Sequence, residues 1–269
     1  MKLTVLVDNN TYIDQYYCGE PAAAYYIEDG DRHILWDSGY SDIILRNAQA
    51  LGIYLGQLTD IAISHGHDDH TRGLKALLAA YDLSTVTLTA HPLAFEPKRT
   101  AEGQLIGSPF TASELAQHCQ LRLSAEPVKL SPHLTFLGQI PRVFPFEARA
   151  PIGQHQTKDG WTDDWLTDDT ALVYESPAGL YLITACSHSG ICNICQYAQA
   201  VTGQPHILGI IGGFHLFGVT PQLTATIDYF KTLGITDLYP CHCVDFAARA
   251  AIHEQLPIRE VGVGLTLEW

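Results

Sequence analysis

Ile61-Ala62-Ile63-Ser64-His65-Gly66-His67-Asp68-Asp69-His70 decides how this chain is read. An apolar run with strand character ends in four strong metal donors: His65, His67, Asp69 and His70. Histidines at i and i+2 cannot share one face of a helix, but both can reach inward from a loop at a strand end. Imidazole nitrogen suits zinc, iron and manganese, and carboxylate oxygen suits the harder of these. Asp69 and His70 follow at once and can serve a second ion beside the first. Two cations ~3.5–4 Å apart are the usual arrangement for metal-assisted hydrolysis. A solvated polar turn would explain a lone pair of histidines. It does not explain four donors set between a strand and the helix-like Lys75-Ala76-Leu77-Leu78-Ala79-Ala80.

Outward from this motif, the patterning predicts strands at 2–7, 23–28, 33–37, 60–64 and 86–90, with helices at 41–51 and 71–81. Residues 92–113, punctuated by Pro92, Pro97, Gly103, Gly107 and Pro109, read as a long loop suited to a lid or substrate-binding segment. Further on, strands are expected at 121–124, 127–130, 133–137, 171–175, 180–184, 206–211, 237–239 and 261–267. Helices are expected at 190–202, 221–233 and 247–256, and 145–168 reads as irregular. Strands in both halves with helices between them suit an α/β protein of two sheets packed face to face, helices outside.

The bulk properties narrow the function. A chain of 269 residues with 46% hydrophobic and 16% charged residues is globular. A net charge of −14 argues against non-specific nucleic-acid binding, which needs clustered cations. No apolar run is long enough for a membrane span, and the start at Met1–Asp8 lacks the features of a signal peptide, so a cytoplasmic protein without membrane association is expected. The seven cysteines at 18, 119, 186, 192, 195, 241 and 243 read as mostly reduced thiols.

The 65–70 segment resembles the signature of the metallo-β-lactamase superfamily. The rest of the chain is similar to one branch, the methanopterin-synthase-like metallo-hydrolases related to 7,8-dihydropterin-6-methyl-4-(β-D-ribofuranosyl)-aminobenzene-5′-phosphate synthase. Carrying that resemblance are Val7-Asp8-Asn9, Leu35-Trp36-Asp37-Ser38-Gly39, Ile140-Pro141-Arg142, Thr184–Ile191, Gly212-Gly213-Phe214-His215-Leu216 and Pro240-Cys241-His242-Cys243. It implies an αββα sandwich of two mixed β-sheets with helices on the outer faces, in a single domain over 1–269. It also implies two divalent ions, zinc first and manganese or iron as alternatives.

The remaining ligands must come from later strand ends. His188 and His242 are the candidates. Cys186 stands where better-known members keep a metal-bridging aspartate, and Asp168-Asp169 stand where they keep a histidine, so Asp169, Asp168 or Cys186 can serve the second ion. Asp37 is expected behind the histidines, accepting an imidazole N–H; Asp8 is a weaker parallel. His215, after two glycines that permit close backbone approach, is the candidate hydrogen-bond donor or general acid to substrate, with Asp69 orienting the nucleophile. His91 can face the same mouth or form a turn with Pro92. Cys192 and Cys195 read as small buried residues on a helix. Arg142, Lys98 and Arg99 are candidate phosphate contacts, and Trp161 and Trp165 can stack on a ring or serve the core.

The reading is a metal-dependent hydrolase acting on a small-molecule ester or phosphoester, with phosphorylated compounds among the substrates considered. The alternatives are a pterin-related synthase and a non-catalytic metal-binding sensor. A di-iron redox protein would need a flavin domain for which this chain has no length left.

Overall fold

The computed structural model describes residues 1–147 and 150–269. In chain order the elements begin with β1 (Lys2–Val7), β2 (Ala24–Asp29), β3 (Arg32–Trp36), α1 (Ile43–Ala50), β4 (Asp60–Ala62), α2 (Asp68–Thr71), α3 (Leu74–Ala80) and β5 (Thr87–Ala90). They continue with β6 (Lys98–Arg99), α4 (Ala112–Leu115), β7 (Gln120–Leu123), β8 (Val128–Lys129), β9 (Leu134–Phe136), β10 (Gln154–Thr157) and β11 (Gly160–Asp163). The rest are β12 (Leu172–Ser176), β13 (Gly179–Ile183), α5 (Ile191–Thr202), β14 (Ile207–Gly212), α6 (Pro221–Leu233), β15 (Asp237–Pro240), α7 (Phe246–His253) and β16 (Thr266–Glu268). The chain divides into two compact units, one of residues 1–125, 150–168 and 262–269, the other of 126–149 and 169–261.

The first unit is built on a seven-stranded sheet in the order β16-β1-β2-β3-β4-β5-β7. Its early strands are antiparallel, but β3, β4, β5 and β7 run parallel. The loops after β3, β4 and β5 therefore leave the same edge, the carboxyl edge where open α/β sheets place ligands. Apolar residues of the sheet and helices, among them Leu6, Leu35, Ile44, Ile61, Ile63, Leu77 and Leu88, form one buried cluster. Asn47, a buried polar residue on α1, is tied into this unit by three hydrogen bonds. Its amide donates to the Leu6 and Cys18 carbonyls, both at 2.8 Å, and its Oδ1 accepts from the Cys18 N–H at 3.0 Å. These bonds pin the 8–21 loop beside β1.

The second unit has a six-stranded sheet in the order β15-β14-β13-β12-β9-β8. Here β13, β14 and β15 are parallel, so the loops holding His188, His215 and His242 share one carboxyl edge. Helix α6 starts on Thr220, whose hydroxyl accepts from Leu223 N, with Pro221 in its first turn, and ends on Gly234 in the left-handed conformation. Cys192 and Cys195 are fully buried in the core cluster with Ile194, Ile210 and Phe230, as expected of small helix residues facing a sheet. Burial pushes both thiols far up, which makes them unreactive.

Two expectations need correction. The segments read as a loop at 92–113 and as irregular at 145–168 contribute β6, β10 and β11, which form a third sheet in the order β11-β10-β6. Its sequences, Gln154-His155-Gln156-Thr157 and Gly160-Trp161-Thr162-Asp163, carry no apolar alternation because neither strand has a buried face. The final strand is also shorter than 261–267, since Val261 and Val263 are buried but lie outside regular structure. Among the described residues no helix is long and apolar enough to cross a membrane.

Asn47→Ala removes the three hydrogen bonds to the Leu6 and Cys18 backbone, and should lower unfolding free energy in urea by about 2–4 kcal/mol. A loss below ~1 kcal/mol would show that the 8–21 loop is held by other means.

Candidate metal centre

In the first unit the donors gather on the loop between β4 and α2, which carries His65 and His67, and in α2 itself, which carries Asp69 and His70. His65 is fully buried, His67 is 9% exposed and His70 is fully buried. His65 Nε2 lies 3.1 Å from His67 Nδ1. Two nitrogens held at ~2.0–2.1 Å from one tetrahedral ion stand ~3.3 Å apart, so this spacing fits a shared cation. His70 Nε2 lies 3.2 Å from Asp69 Oδ2, a second pair of donors at ligand spacing, here nitrogen and oxygen. The donor set suits zinc, manganese or iron.

Asp37 organises these rings. Its Oδ1 accepts from the Ser64 N–H at 2.7 Å, and its Oδ2 accepts from the Ser64 hydroxyl at 2.7 Å and from His70 Nδ1 at 2.8 Å. Ser64 Oγ also lies 2.9 Å from His65 Nδ1. The Nδ1 atoms of both imidazoles are thereby engaged, which directs the Nε2 atoms toward the donor cluster. Asp37 holds this position with a left-handed φ of 59°, in keeping with strain kept at a functional loop. The expected role of Asp37 is what the geometry shows. Ser64, its essential partner, escaped the sequence reading, although it sits immediately before the motif.

Electrostatics divide the histidines. Burial pushes the His67 imidazole down to about 4, so it is neutral at pH 7 and ready to ligate. Burial also opposes protonation of His70, but the Asp69 and Asp37 carboxylates outweigh it and hold this group well above the usual histidine range.

The backbone permits the loop only because Gly66 has no side chain: a Cβ there would lie 2.0 Å from the Ala94 carbonyl oxygen. His91 sits in a turn, its Nδ1 accepting from Leu93 N at 3.2 Å. Asp8 likewise accepts from Asn10 N in a local turn.

In the second unit, His188, His215 and His242 occupy the loops after β13, β14 and β15. The His188 and His215 rings stand 4.3 Å apart between centroids. Ser187, His215 and His242 all have left-handed φ values, 60°, 50° and 52°. The Gly212-Gly213 pair is required here, since a Cβ on either would lie 2.3 Å from a carbonyl oxygen, of Thr184 or of Ala185. His215 Nδ1 is buried and has no hydrogen-bond partner among the described residues. Cys243 Sγ accepts from the His215 backbone N–H at 3.3 Å and donates to the Cys186 carbonyl at 3.4 Å. Burial raises this thiol, but hydrogen bonding with the Cys186 and His215 side chains and the electrostatic influence of His242 and His215 hold it well below the usual range.

Several expected roles change. Asp169 Oδ2 accepts from both the N–H and the hydroxyl of Ser189, the residue after His188, which ties it to the orientation of that loop. Both carboxylate oxygens of Asp168 are engaged, by Gly66 N and by Lys98. Lys98 is only 1% exposed and paired with Asp164 and Asp168, so it is no surface contact for a phosphate. Arg99 lies over the Trp161 ring at 4.1 Å and bonds Gln154, which occupies both of those candidates with each other. Trp165 is 48% exposed, and Arg142 is half-buried in the segment before Glu147. Glu147 itself was not singled out by its sequence. It is buried at the start of α5, where Oε1 accepts from Cys192 N at 2.6 Å and Oε2 accepts from the Gln222 amide at 3.0 Å.

Comparisons with known proteins bear on the family and the fold. The profile of the metallo-β-lactamase superfamily matches residues 19–133. An uncharacterized protein of Methanocaldococcus jannaschii, MJ0448, is 33% identical over 250 residues, 91% of each chain. The 7,8-dihydropterin-6-methyl-4-(β-D-ribofuranosyl)-aminobenzene-5′-phosphate synthase of the same organism is 27% identical over 234 residues, 83% of this chain and 79% of that one. Among solved structures, Tm1679, described as a metal-dependent hydrolase of the β-lactamase superfamily, superposes with a TM-score of 0.85. It is 27% identical, and the match covers 100% of this chain and 99% of that one.

Asp37→Asn should weaken metal binding to the metal-free protein about 10–100-fold in a chelator competition, because an amide leaves one acceptor oxygen where the Ser64 and His70 donors use two. Unchanged affinity would remove Asp37 from the account of the centre.

Proposed function

Because the chain belongs to the metallo-β-lactamase superfamily, we propose that it is a metal-dependent hydrolase of small-molecule esters or phosphoesters. The observation that carries this reading is the His65 Nε2–His67 Nδ1 spacing of 3.1 Å, backed by the Asp37–Ser64 support behind the rings. In this reading His65 and His67 would hold one divalent ion and Asp69 and His70 a second. Zinc is the first choice for both. Bound divalent ions supply Lewis acidity and lower the pKa of water toward neutrality.

The protein's own groups do the rest. Asp69, 27% exposed at its side chain, is the carboxylate that orients the attacking water. His215 is assigned to substrate rather than metal, to stabilise charge on the reacting oxygen or to protonate the leaving group through its ring. Asp169 holds the His188 loop through Ser189. His67, kept neutral by burial, binds the ion without first losing a proton.

The likeness to the named synthase supports a second reading, a pterin-related condensation at the same centre. A sensor that does no chemistry would bind metal without turnover. Both alternatives are separated from hydrolysis by the same assay set.

Elemental analysis of purified protein should find about two divalent ions per chain. Zinc- or manganese-loaded protein should hydrolyse at least one substrate from a panel of bis-p-nitrophenyl phosphate, a phosphonate ester, a lactone and a cephalosporin. His67→Ala should lower that activity roughly 100-fold or more. An activity equal to wild type in His67→Ala would place the chemistry elsewhere. Metal binding with no turnover on any of these substrates would contradict the hydrolase and favour the synthase or the sensor.

A further inference from the structure

Lys98 is among the largest fully buried side chains of the molecule, and the proposed chemistry makes no use of it. It lies on β6, in the small polar sheet with β10 and β11. Its ammonium donates to Asp164 Oδ2 at 2.7 Å and to Asp168 Oδ1 at 3.1 Å. The other oxygen of Asp168, Oδ2, accepts the backbone N–H of Gly66 at 2.8 Å. Gly66 stands between His65 and His67, and its lack of a Cβ lets it rest on the Lys98 stem, since a Cβ would meet Lys98 Cε at 2.8 Å. The next residues of the loop are bonded to the same segment: His67 bridges Gly107, and Asp68 N donates to the Ile106 carbonyl at 2.8 Å.

Three buried charges in one cluster are a costly way to gain stability, since apolar residues of similar volume often serve at least as well. Their cost is understandable if they hold something that must not move. We propose that Lys98, acting through Asp168, is a positioning residue. It locks the Gly66 peptide, and with it the mutual placement of the His65 and His67 rings, so that the loop is shaped for a cation before one arrives. Asp164 balances the ammonium but is not on the path to Gly66. The small sheet of β6, β10 and β11, with the 164–168 segment that follows it, is the carrier of this strut. This inference rests on the metal-centre reading above, because it assigns the loop a cation to receive.

The test uses the full chain, stripped of metal, in Lys98→Met, Asp168→Asn and Asp164→Asn variants. Zinc affinity is read by competition with a chromophoric chelator, and the thermal midpoint of each metal-free variant is read alongside. Asp168→Asn and Lys98→Met should raise the zinc dissociation constant about 10–100-fold, the range for groups that orient ligands. Asp164→Asn should change it less than ~3-fold even where its metal-free midpoint falls as far as that of Asp168→Asn. A purely structural cluster predicts instead that affinity follows stability, and an Asp164→Asn loss equal to that of Asp168→Asn would overturn the proposal. If Lys98→Met does not fold, the two asparagine variants decide the matter alone. Wild-type protein that binds zinc while Asp168→Asn matches it sinks this inference only. Wild-type protein that binds no zinc sinks the metal-centre reading and this inference together.

Discussion

The Asp37 carboxylate is the constraint on which the first unit's chemistry depends. One acid receives three hydrogen bonds, two from Ser64 and one from His70. Through Ser64 it also reaches His65. Two imidazoles separated by four residues are thus oriented from a single point. The parallel pairing of β3 with β4 makes this possible, because it brings the ends of both strands to one edge of the sheet. A buried carboxylate with this many donors is satisfied without a cation of its own, so it can serve as a fixed acceptor behind the ligands.

Support for the loop comes in layers. Asp37 fixes the rings, Gly66 permits the close backbone path, and the Lys98–Asp168 pair grips the peptide between the first two histidines. The second unit shows the same economy of means in its own way. Three parallel strands deliver three histidine loops to one edge, and Gly212-Gly213 lets the middle one approach the Thr184–Ala185 backbone. Three non-glycine residues at these loops, Ser187, His215 and His242, have left-handed φ. Conformations of that kind cost energy and persist where the surroundings determine them closely. Their concentration on the histidine loops accords with function being placed there.

Much of this was readable from residue order. The strand before His65, the helix of residues 221–233 between Thr220 and Gly234, and the tight β12–β13 turn at Pro177-Ala178-Gly179 follow from periodicity and punctuation. Asp37 could be read because it follows a strand and the family resemblance sets the matching aspartate behind the metal histidines. What escaped was held by tertiary context. The strands β10 and β11 bury no face and so show no alternation. Lys98 looks like any surface lysine until Asp164 and Asp168, more than sixty residues on, are seen to close over it. Glu147 sits in a Pro-Phe-Glu stretch without periodicity, and only the start of α5 gives its carboxylate a purpose. A single sequence carries propensity and spacing well, but not the distant partner that turns an exposed charge into a buried one.

The account stands or falls on whether the 65–70 loop holds a cation. The most direct measurement is anomalous X-ray diffraction at the zinc edge from crystals of zinc-loaded protein. The account predicts a strong anomalous peak ~2.0–2.1 Å from both His65 Nε2 and His67 Nδ1. Zinc bound only at other residues, or those two nitrogens facing one another with no peak between them, would contradict it.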